Sequence, residues 1–222
     1  MSRPRTLVLF DVDGTLIDSQ SHILGAMDFA FKTRGLVLPP ASEILAIVGL
    51  SLPEAFAQLC PEADAQERLL LVEAYKDSFA SLRKSASASA LYPGALACLD
   101  RLKHMDDVVL GIATGKSRRG LRHVLSNPDL AGRFATTQVA DDHPSKPHPS
   151  MALQAMTESG AVRGVMIGDT TFDMQMGRAA GLKTIGVSWG YHAQQALRAL
   201  ADRMVDHYGQ LVPEVQNLWG EI

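Results

Sequence analysis

Four short apolar runs, separated by segments with helical periodicity, constrain the fold of this chain most. The runs are Thr6–Phe10, Val108–Ala113, Gly164–Ile167 and Lys183–Val187, with weaker candidates at Ala135–Ala140 and Met204–Val205. Short, almost continuously apolar runs are typical of strands buried on both faces of a parallel sheet. The helical patterns between and after them are Pro93–His104, Lys116–Ser126, Pro147–Gly160, Thr170–Ala180 and Ala193–Ala201. This alternation predicts an α/β fold with a Rossmann-like parallel sheet covered by helices.

A long helical stretch interrupts this alternation directly after the first strand. Its helical patterns are Ser21–Arg34, Ser42–Val48, Leu52–Leu59 and Ala63–Leu82, and the small-residue segment Ser85–Ala90 that follows is typical of a linker. A stretch of about sixty residues without a strand is long enough to form a small helical bundle with a core of its own. We therefore predict an inserted helical domain at residues 17–89, and a sheet domain at residues 1–16 and 90–222. The alternative is a helical part of one single domain.

Composition places limits on the partners of the chain. The 222 residues carry a formal net charge of −3, with 46% hydrophobic and 20% charged residues. This charge gives no reason to expect nucleic acid or an anionic membrane as a partner. The apolar stretch near the N-terminus is too short for a signal peptide or a membrane span. We expect a soluble, cytoplasmic protein.

Two aspartates end the first predicted strand, in the string Asp11-Val12-Asp13-Gly14-Thr15. Side chains two residues apart along a strand point to the same side, so Asp11 and Asp13 can face one small volume. Two like charges so close are unfavourable unless a cation or a proton joins them. Mg²⁺ is suited to such a place, because it prefers oxygen ligands and leaves room for phosphate. The alternative is an ordinary Asp-Gly turn.

Polar groups also follow the other predicted strands, where open α/β sheets bind ligands. Thr114–Ser117 lies at the start of a helix, where a hydroxyl and backbone N–H groups can bind an anion. Asp169 ends a strand, and Asp173 lies one turn into the next helix. Lys146 stands in a loop that two prolines stiffen. Taken singly, each of these groups could equally be a helix cap or a solvated side chain.

Together, these residues resemble the four signature motifs of the haloacid dehalogenase superfamily of phosphohydrolases, in the expected order. The helical segment 17–89 resembles the C1-type cap of its phosphoglycolate phosphatase-like members. The resemblance implies a Mg²⁺-dependent phosphatase that hydrolyses a small phosphomonoester, such as phosphoglycolate or a sugar or nucleotide phosphate, through an aspartyl phosphate. It also implies a small phosphorylated metabolite as the partner, and a monomer or homodimer.

The resemblance also implies a role for each motif residue. Asp11 would be the nucleophile and Asp13 the proton carrier, with Thr114 and Lys146 completing the catalytic set. The implied phosphate-binding residues are Gly14, Thr15, Thr114, Gly115 and Lys146, and the implied metal site comprises Asp11, Asp13 through its backbone carbonyl, Asp169 and Asp173. True dehalogenases lack the second aspartate, so Asp13 disfavours dehalogenation. Gly115 is a departure, because many phosphoglycolate phosphatases and pyrophosphatases have asparagine there.

Alternative functions remain at this stage. A sugar phosphomutase of the β-phosphoglucomutase type would use the same aspartyl phosphate, and a pyrophosphatase would use the same motifs. A non-catalytic binding protein is the least favoured. The segment Gly186–Gly190 fits the Gly-x-Ser-x-Gly motif of serine hydrolases. The acid and histidine that could follow, Asp202 or Asp206 and then His207, come in quick succession with little sheet left to hold them, so we reject this interpretation. In the cap, His22, Ser51 and Glu54 are candidates to face the site, although surface positions are as plausible.

Overall fold

The computed structural model describes residues 4–85 and 90–219, and it contains one parallel sheet of six strands. The strand order is β3-β2-β1-β4-β5-β6. The strands are β1 (Thr6–Phe10), β2 (Val108–Thr114), β3 (Thr136–Val139), β4 (Arg163–Gly168), β5 (Lys183–Val187) and β6 (Arg203–Val205). The predicted α/β class is confirmed, and the two weaker strand candidates form the two edges of the sheet.

Helices connect and cover these strands. Between β1 and β2 lie α1 (Gln20–Thr33), α2 (Ala41–Ala46), α3 (Leu52–Leu59), α4 (Ala65–Ser85) and α5 (Ala95–Lys103). The later helices are α6 (Arg118–Leu125), α7 (Ser150–Ser159), α8 (Thr171–Ala179), α9 (Gln194–Arg198) and α10 (Leu211–Asn217), with a short 3-10 helix at Tyr208–Gln210. Helix α10 was not predicted from the sequence.

The central strand β1 shows why the apolar runs form this sheet. All five of its residues are buried, and its neighbours are β2 and β4, both parallel to it. Val8 and Phe10 pack on one face, against α5 and α10, whereas Leu7 and Leu9 pack on the other, against α7. A strand that alternates between two buried faces must be apolar at nearly every position, and this is the pattern in the sequence.

Helices α1 to α4 pack around a separate apolar cluster, which we call the cap core. Its fully buried members include Met27, Phe31, Phe56 and Leu71. The Phe31 and Phe56 rings lie 6.2 Å apart between centroids. The predicted division into domains at residues 16 and 90 stays a prediction. Of the predicted linker Ser85–Ala90, residues 86–89 lie outside the described residues.

The strand order decides where a ligand can bind. The chain leaves β1 to build one half of the sheet through β2 and β3, then crosses back to β4 on the other side of β1. Ligands of open α/β sheets bind at the carboxyl ends of the strands on either side of such a reversal. Within the described residues, no helix combines the length and apolar character that crossing a membrane requires.

Candidate active site

The nucleophile candidate lies directly after the central strand. The backbone N–H of Asp11 donates a hydrogen bond of 2.9 Å to the Ile167 carbonyl of β4, so Asp11 continues the ladder between the two strands. Its side chain is 1% exposed. The position of this carboxylate is therefore set by the central strand of the sheet, which is paired on both sides.

The turn after Asp11 brings the ends of β1 and β4 together. Gly14 has a φ of 78°, and a Cβ there would lie 2.3 Å from Oδ2 of Asp169. Only glycine combines this backbone conformation with so close an approach. The Thr15 hydroxyl donates to Oδ1 of Asp169 at 2.8 Å, and the Tyr191 N–H donates to Oδ2 at 2.9 Å. These two bonds orient the Asp169 carboxylate.

A buried lysine joins two of the carboxylates. Lys146 is 1% exposed, and its Nζ donates to Oδ1 of Asp11 at 2.8 Å and to Oδ1 of Asp173 at 2.6 Å. Burial by itself would lower the pKa of Lys146, but the two carboxylates outweigh it and raise that pKa. The ammonium is therefore held charged beside the nucleophile candidate.

Asp173 has both of the roles that the sequence left open. Its Oδ2 accepts bonds from the Thr170 N–H at 3.1 Å and the Thr170 hydroxyl at 2.6 Å, which caps α8. The Thr170 hydroxyl oxygen accepts from the Asp173 N–H in return, at 3.2 Å, and the two residues form a capping box. The other oxygen of Asp173 binds Lys146. The cap thus orients a carboxylate that also belongs to the site.

This cluster carries more negative than positive charge in a buried place. The Lys146 ammonium binds Asp11 and Asp173, and Asp169 adds a third carboxylate whose oxygen lies within 4.8 Å of theirs. Burial, partly offset by Lys146 and reinforced by Asp173, raises the pKa of Asp11 to about 7. Burial and the Asp11 and Asp173 charges raise the pKa of Asp169 well above its usual range. The uncompensated charge favours uptake of a proton or a cation.

The donor set fits a hard divalent cation. Asp11, Asp169 and Asp173 each offer an oxygen, and these oxygens lie within 4.8 Å of one another. Among the described residues, Oδ2 of Asp11 is a buried side-chain atom without a hydrogen-bond partner. A buried carboxylate oxygen is seldom left so unless an ion or a water binds it. Carboxylate oxygens are the ligands that Mg²⁺ prefers, and they would lose their mutual repulsion on binding it.

This charge balance predicts a pH-dependent stability in the metal-free protein. Asp11 binds its proton more tightly in the folded state, so this contribution to stability is complete below its unfolded pKa, about 4, and is lost as the pH rises to about 7. Between about pH 5 and about pH 7.5, we expect the free energy of unfolding to fall by about 2 kcal/mol more in the wild type than in Asp11→Asn. Urea unfolding in the presence of a chelator measures this difference. Equal slopes for the two proteins would contradict the predicted linkage, and added Mg²⁺ should reduce the wild-type loss.

The proton-carrier candidate has partners that the sequence did not reveal. Nζ of Lys116 donates to both oxygens of Asp13 at 2.7 Å, and the Ser19 hydroxyl donates to Oδ1 at 2.5 Å. Lys116 follows Thr114 by two residues, and that spacing was the signal that could have placed it at the site. Tyr191 adds a further contact, with its hydroxyl 3.1 Å from the Ser19 hydroxyl. Asp13 is therefore held in one orientation, 8% exposed.

The end of β2 supplies the predicted anion-binding segment. Thr114 is 1% exposed, and its hydroxyl oxygen accepts from the Lys116 N–H at 3.2 Å. Ser117 then caps α6, because its side chain accepts from the Gly120 N–H at 3.1 Å. Thr114 and Gly115 therefore lie between the strand and the helix, where backbone N–H groups are available to an anion.

Gly115 allows the cap to approach this segment. A Cβ at Gly115 would lie 2.5 Å from the Gly49 carbonyl oxygen and 2.6 Å from that of Leu50. The loop between α2 and α3 thus occupies the space that a side chain would need. This explains the departure seen in the sequence, because asparagine at this position would collide with the cap in the observed arrangement.

Two further hydrogen bonds join the cap helices to the sheet part of the molecule. The Ser51 N–H donates to the Ser145 hydroxyl at 2.8 Å, one residue before Lys146. Nε2 of His192 lies 3.0 Å from the Ala46 carbonyl oxygen. The loop that carries Gly49 is therefore fastened on two sides of the site.

A cavity of about 290 Å³ opens between the cap and the strand ends. Asp11, Asp13, Thr114, Gly115 and Lys116 border it from the sheet side. Residues of α1, of α3, of α4 and of the loop between α2 and α3 border it from the cap side.

The three cap residues that the sequence suggested do not line the cavity, although some of their neighbours do. His22, Ser51 and Glu54 are not among the described residues that line this cavity, whereas Ile23 and Leu52, next to two of them, are. Ser51 instead contributes its backbone N–H to the contact with Ser145. The structure thus brings together the motif residues, while their catalytic roles stay predictions.

Known proteins resemble this chain in sequence and in fold over most of its length. The family model for haloacid dehalogenase-like hydrolases matches residues 8–187. The chain is 34% identical to "Probable phosphatase IndB" of Dickeya dadantii, over 94% of this chain and 92% of that protein. It is 29% identical to a phosphoglycolate phosphatase of Vibrio cholerae, over 94% and 96% of the two chains. A solved haloacid dehalogenase-like hydrolase from Streptococcus pneumoniae shares the fold, with a TM-score of 0.82, 24% identity and coverage of 96% and 99%.

Proposed function

Because the chain belongs to the haloacid dehalogenase-like hydrolase family, we propose that it is a Mg²⁺-dependent phosphatase that hydrolyses a phosphomonoester through an aspartyl phosphate. One observation carries the proposal. The buried Asp11 carboxylate borders the cavity and lies beside both the Lys146 ammonium and two carboxylates able to hold a metal. A relative named as a phosphoglycolate phosphatase supports the same reaction class.

In the first step, a carboxylate oxygen of Asp11 attacks the phosphorus atom, and the bond from phosphorus to the leaving oxygen breaks. Asp13 gives a proton to that leaving oxygen, which then departs as an alcohol. Its bonds to Lys116 and Ser19 orient this carboxyl group at the border of the cavity. The result is a phosphate group carried on Asp11.

In the second step, a water molecule attacks the phosphorus atom of the aspartyl phosphate. Asp13, now a carboxylate, takes a proton from that water, so the same side chain acts in both steps. Inorganic phosphate leaves and Asp11 is restored. Both steps need Asp11 and Asp13 on one side of the turn, as their shared border on the cavity provides.

The phosphoryl oxygens carry negative charge that must be offset near the two aspartates. Lys146, the Thr114 hydroxyl and the N–H groups at Thr15 and Gly115 would hold them. The Gly14 N–H is not available for this, because it donates to the Ile17 carbonyl at 3.0 Å. Asp11, Asp169, Asp173 and the backbone carbonyl of Asp13 would hold the metal. When bound, Mg²⁺ would supply the charge neutralisation that lets an anionic nucleophile approach a phosphate.

The substrate is the part of the proposal that a direct assay decides. We expect release of inorganic phosphate from a small phosphorylated metabolite when Mg²⁺ is present, and none when a chelator removes it. A screen of phosphoglycolate, sugar phosphates, nucleotides and pyrophosphate, each with and without Mg²⁺, measures this. Hexose phosphates in the same screen test the mutase alternative, since conversion to an isomer without phosphate release would contradict the proposal.

The close approach at Gly115 predicts that a single methyl group impairs turnover. In Gly115→Ala, the added Cβ would meet two cap carbonyl oxygens, and the cap would be held away from the site. We expect kcat/KM to fall by about tenfold or more, because the displaced cap no longer aligns the substrate with Asp11. Gly115 does not have a positive φ, so a fall in the unfolding temperature of Gly115→Ala would come from the contact with the cap backbone and not from backbone strain at residue 115. An unaltered kcat/KM would show that the observed cap position is not needed for turnover.

A further inference from the structure

The cavity beside Asp11 has two chemically different ends. The sheet end carries the polar groups of the site, including Asp11, Asp13 and Thr114. The cap end is lined largely by hydrocarbon side chains, among them Ile23, Met27, Val48 and Leu52, and Tyr75 and Lys76 are its polar members. A phosphate at the polar end would therefore place the rest of its molecule against an apolar wall.

This wall is shielded from water. Met27 is 1% exposed and Ile23 4%, and both belong to the cap core. A hydroxyl or carboxylate pressed against such side chains loses its hydrogen bonds to water and gains none in return. A hydrocarbon surface placed there is instead removed from water, which favours binding in proportion to its area.

Apart from Asp11, Asp13 and Lys116 at the sheet end, the charged residues that border the cavity are exposed to solvent. The Lys76 side chain is 44% exposed and its Nζ bonds Glu73 at 2.9 Å, and Arg119 is also exposed. A leaving group as short as glycolate would have its carboxylate near the phosphate. The apolar part of the cap would then be left unfilled, and the wall would contribute nothing to recognition.

We propose that the preferred substrate is a phosphomonoester whose alcohol ends in an apolar body of about the size of a ring, held by the cap end of the cavity. This inference rests on the proposed phosphatase function and adds the class of leaving group to it. The cavity volume of about 290 Å³ lies close to the lower end of the range of about 300–1,000 Å³ that is usual for small-molecule sites. Large polar leaving groups are therefore disfavoured by both size and chemistry.

The test compares substrates that share an unactivated alkyl alcohol as leaving group, so that differences report on binding. We would measure kcat/KM with Mg²⁺ for benzyl phosphate, 2-phosphoglycolate and glycerol 1-phosphate. Benzyl phosphate is expected to exceed the other two by about tenfold or more, which corresponds to about 1.4 kcal/mol. An equal or higher value for phosphoglycolate or glycerol phosphate would overturn the inference.

A matched pair of variants on α3 separates wall chemistry from general damage. Leu52 lines the cavity, whereas Leu59, at the other end of the same helix and also half-buried, does not. Leu52→Asn should lower kcat/KM for benzyl phosphate by about fivefold or more and leave that for phosphoglycolate within about twofold. Leu59→Asn should change the ratio between these two substrates little. Equal losses on both substrates in Leu52→Asn would contradict the proposed contact.

The outcomes also distinguish this inference from the function on which it rests. If phosphoglycolate is hydrolysed best, and the activity disappears in Asp11→Asn, the proposed phosphatase stands and the apolar leaving group is wrong. If none of the substrates releases phosphate with Mg²⁺, both fail together.

Discussion

Asp11→Asn is expected to abolish turnover, lowering kcat by at least about 10⁴-fold, because no other group can form the phosphorylated intermediate. Asparagine has nearly the same shape but is a much weaker nucleophile. It also removes one negative charge from a buried cluster with three carboxylates and one ammonium, where Lys146 keeps its bond to Asp173. We therefore expect a protein that is inactive yet at least as stable as the wild type near neutral pH.

Phosphate release and urea unfolding, measured on the same preparations, check this prediction. Asp28→Asn is the matched control, because Asp28 lies on the surface of α1 in an exposed pair with Lys32. The control should keep nearly full activity, since exposed ion pairs contribute little. Retention of more than about one per cent of the wild-type rate in Asp11→Asn would rule out Asp11 as the nucleophile.

Lys146→Met is expected to have the largest effect on stability. Methionine fills a similar volume, but it leaves Asp11 and Asp173 without the cation that Nζ now provides at 2.8 Å and 2.6 Å. Removing one partner of a buried ion pair typically costs about 3–5 kcal/mol, because the remaining charge stays buried and uncompensated. We expect that loss near neutral pH in the absence of metal, together with a fall in kcat of about 10²-fold or more.

The pH dependence identifies the cause of this loss. Without Lys146 the carboxylates bind protons more readily in the folded protein, so the missing stability should return in part as the pH falls. Urea unfolding of the wild type and the variant at about pH 5 and about pH 7.5, with a chelator present, measures this. Lys32→Met, which removes a side chain that is 74% exposed, should stay within about 0.5 kcal/mol of the wild type. A similar small change in Lys146→Met would show that the carboxylates do not depend on this cation.

The elements that could be predicted from the sequence are those that local patterns specify. Strands β1 and β5 and helix α3 have the predicted bounds. Each is a short segment with a clear hydrophobic pattern, and residues that break this pattern stand at both of its ends. Helix α10 was missed, although the shorter helices α2 and α9 were predicted from their patterns. It is held by Leu211, Val212 and Val215, which pack into the cluster beneath the sheet.

The residues of the site also fall into those that local patterns predicted and those that only the fold brings together. Asp11, Thr114, Asp169 and Asp173 lie at strand ends or in the first turn of a helix, and parallel strands bring such ends to one edge. The spacing of Lys116 from Thr114 indicated only that it lies near the site. Its bond to Asp13 could not be inferred, because the two residues are 103 positions apart and only the sheet brings them within 2.7 Å. His22, Ser51 and Glu54 were chosen for polar chemistry, whereas the cap presents mainly hydrocarbon to the cavity.

The sequence by itself therefore determined the sheet, the run of helices between β1 and β2, and the carboxylates that stand at the strand ends. These follow from periodicity along the chain and from charged residues placed where strands must end. Only the tertiary structure decided the charge balance around Lys146, the Gly115 contact with the cap and the apolar wall of the cavity. Each of these depends on the distance between residues far apart in the chain, and that distance is a property of packing.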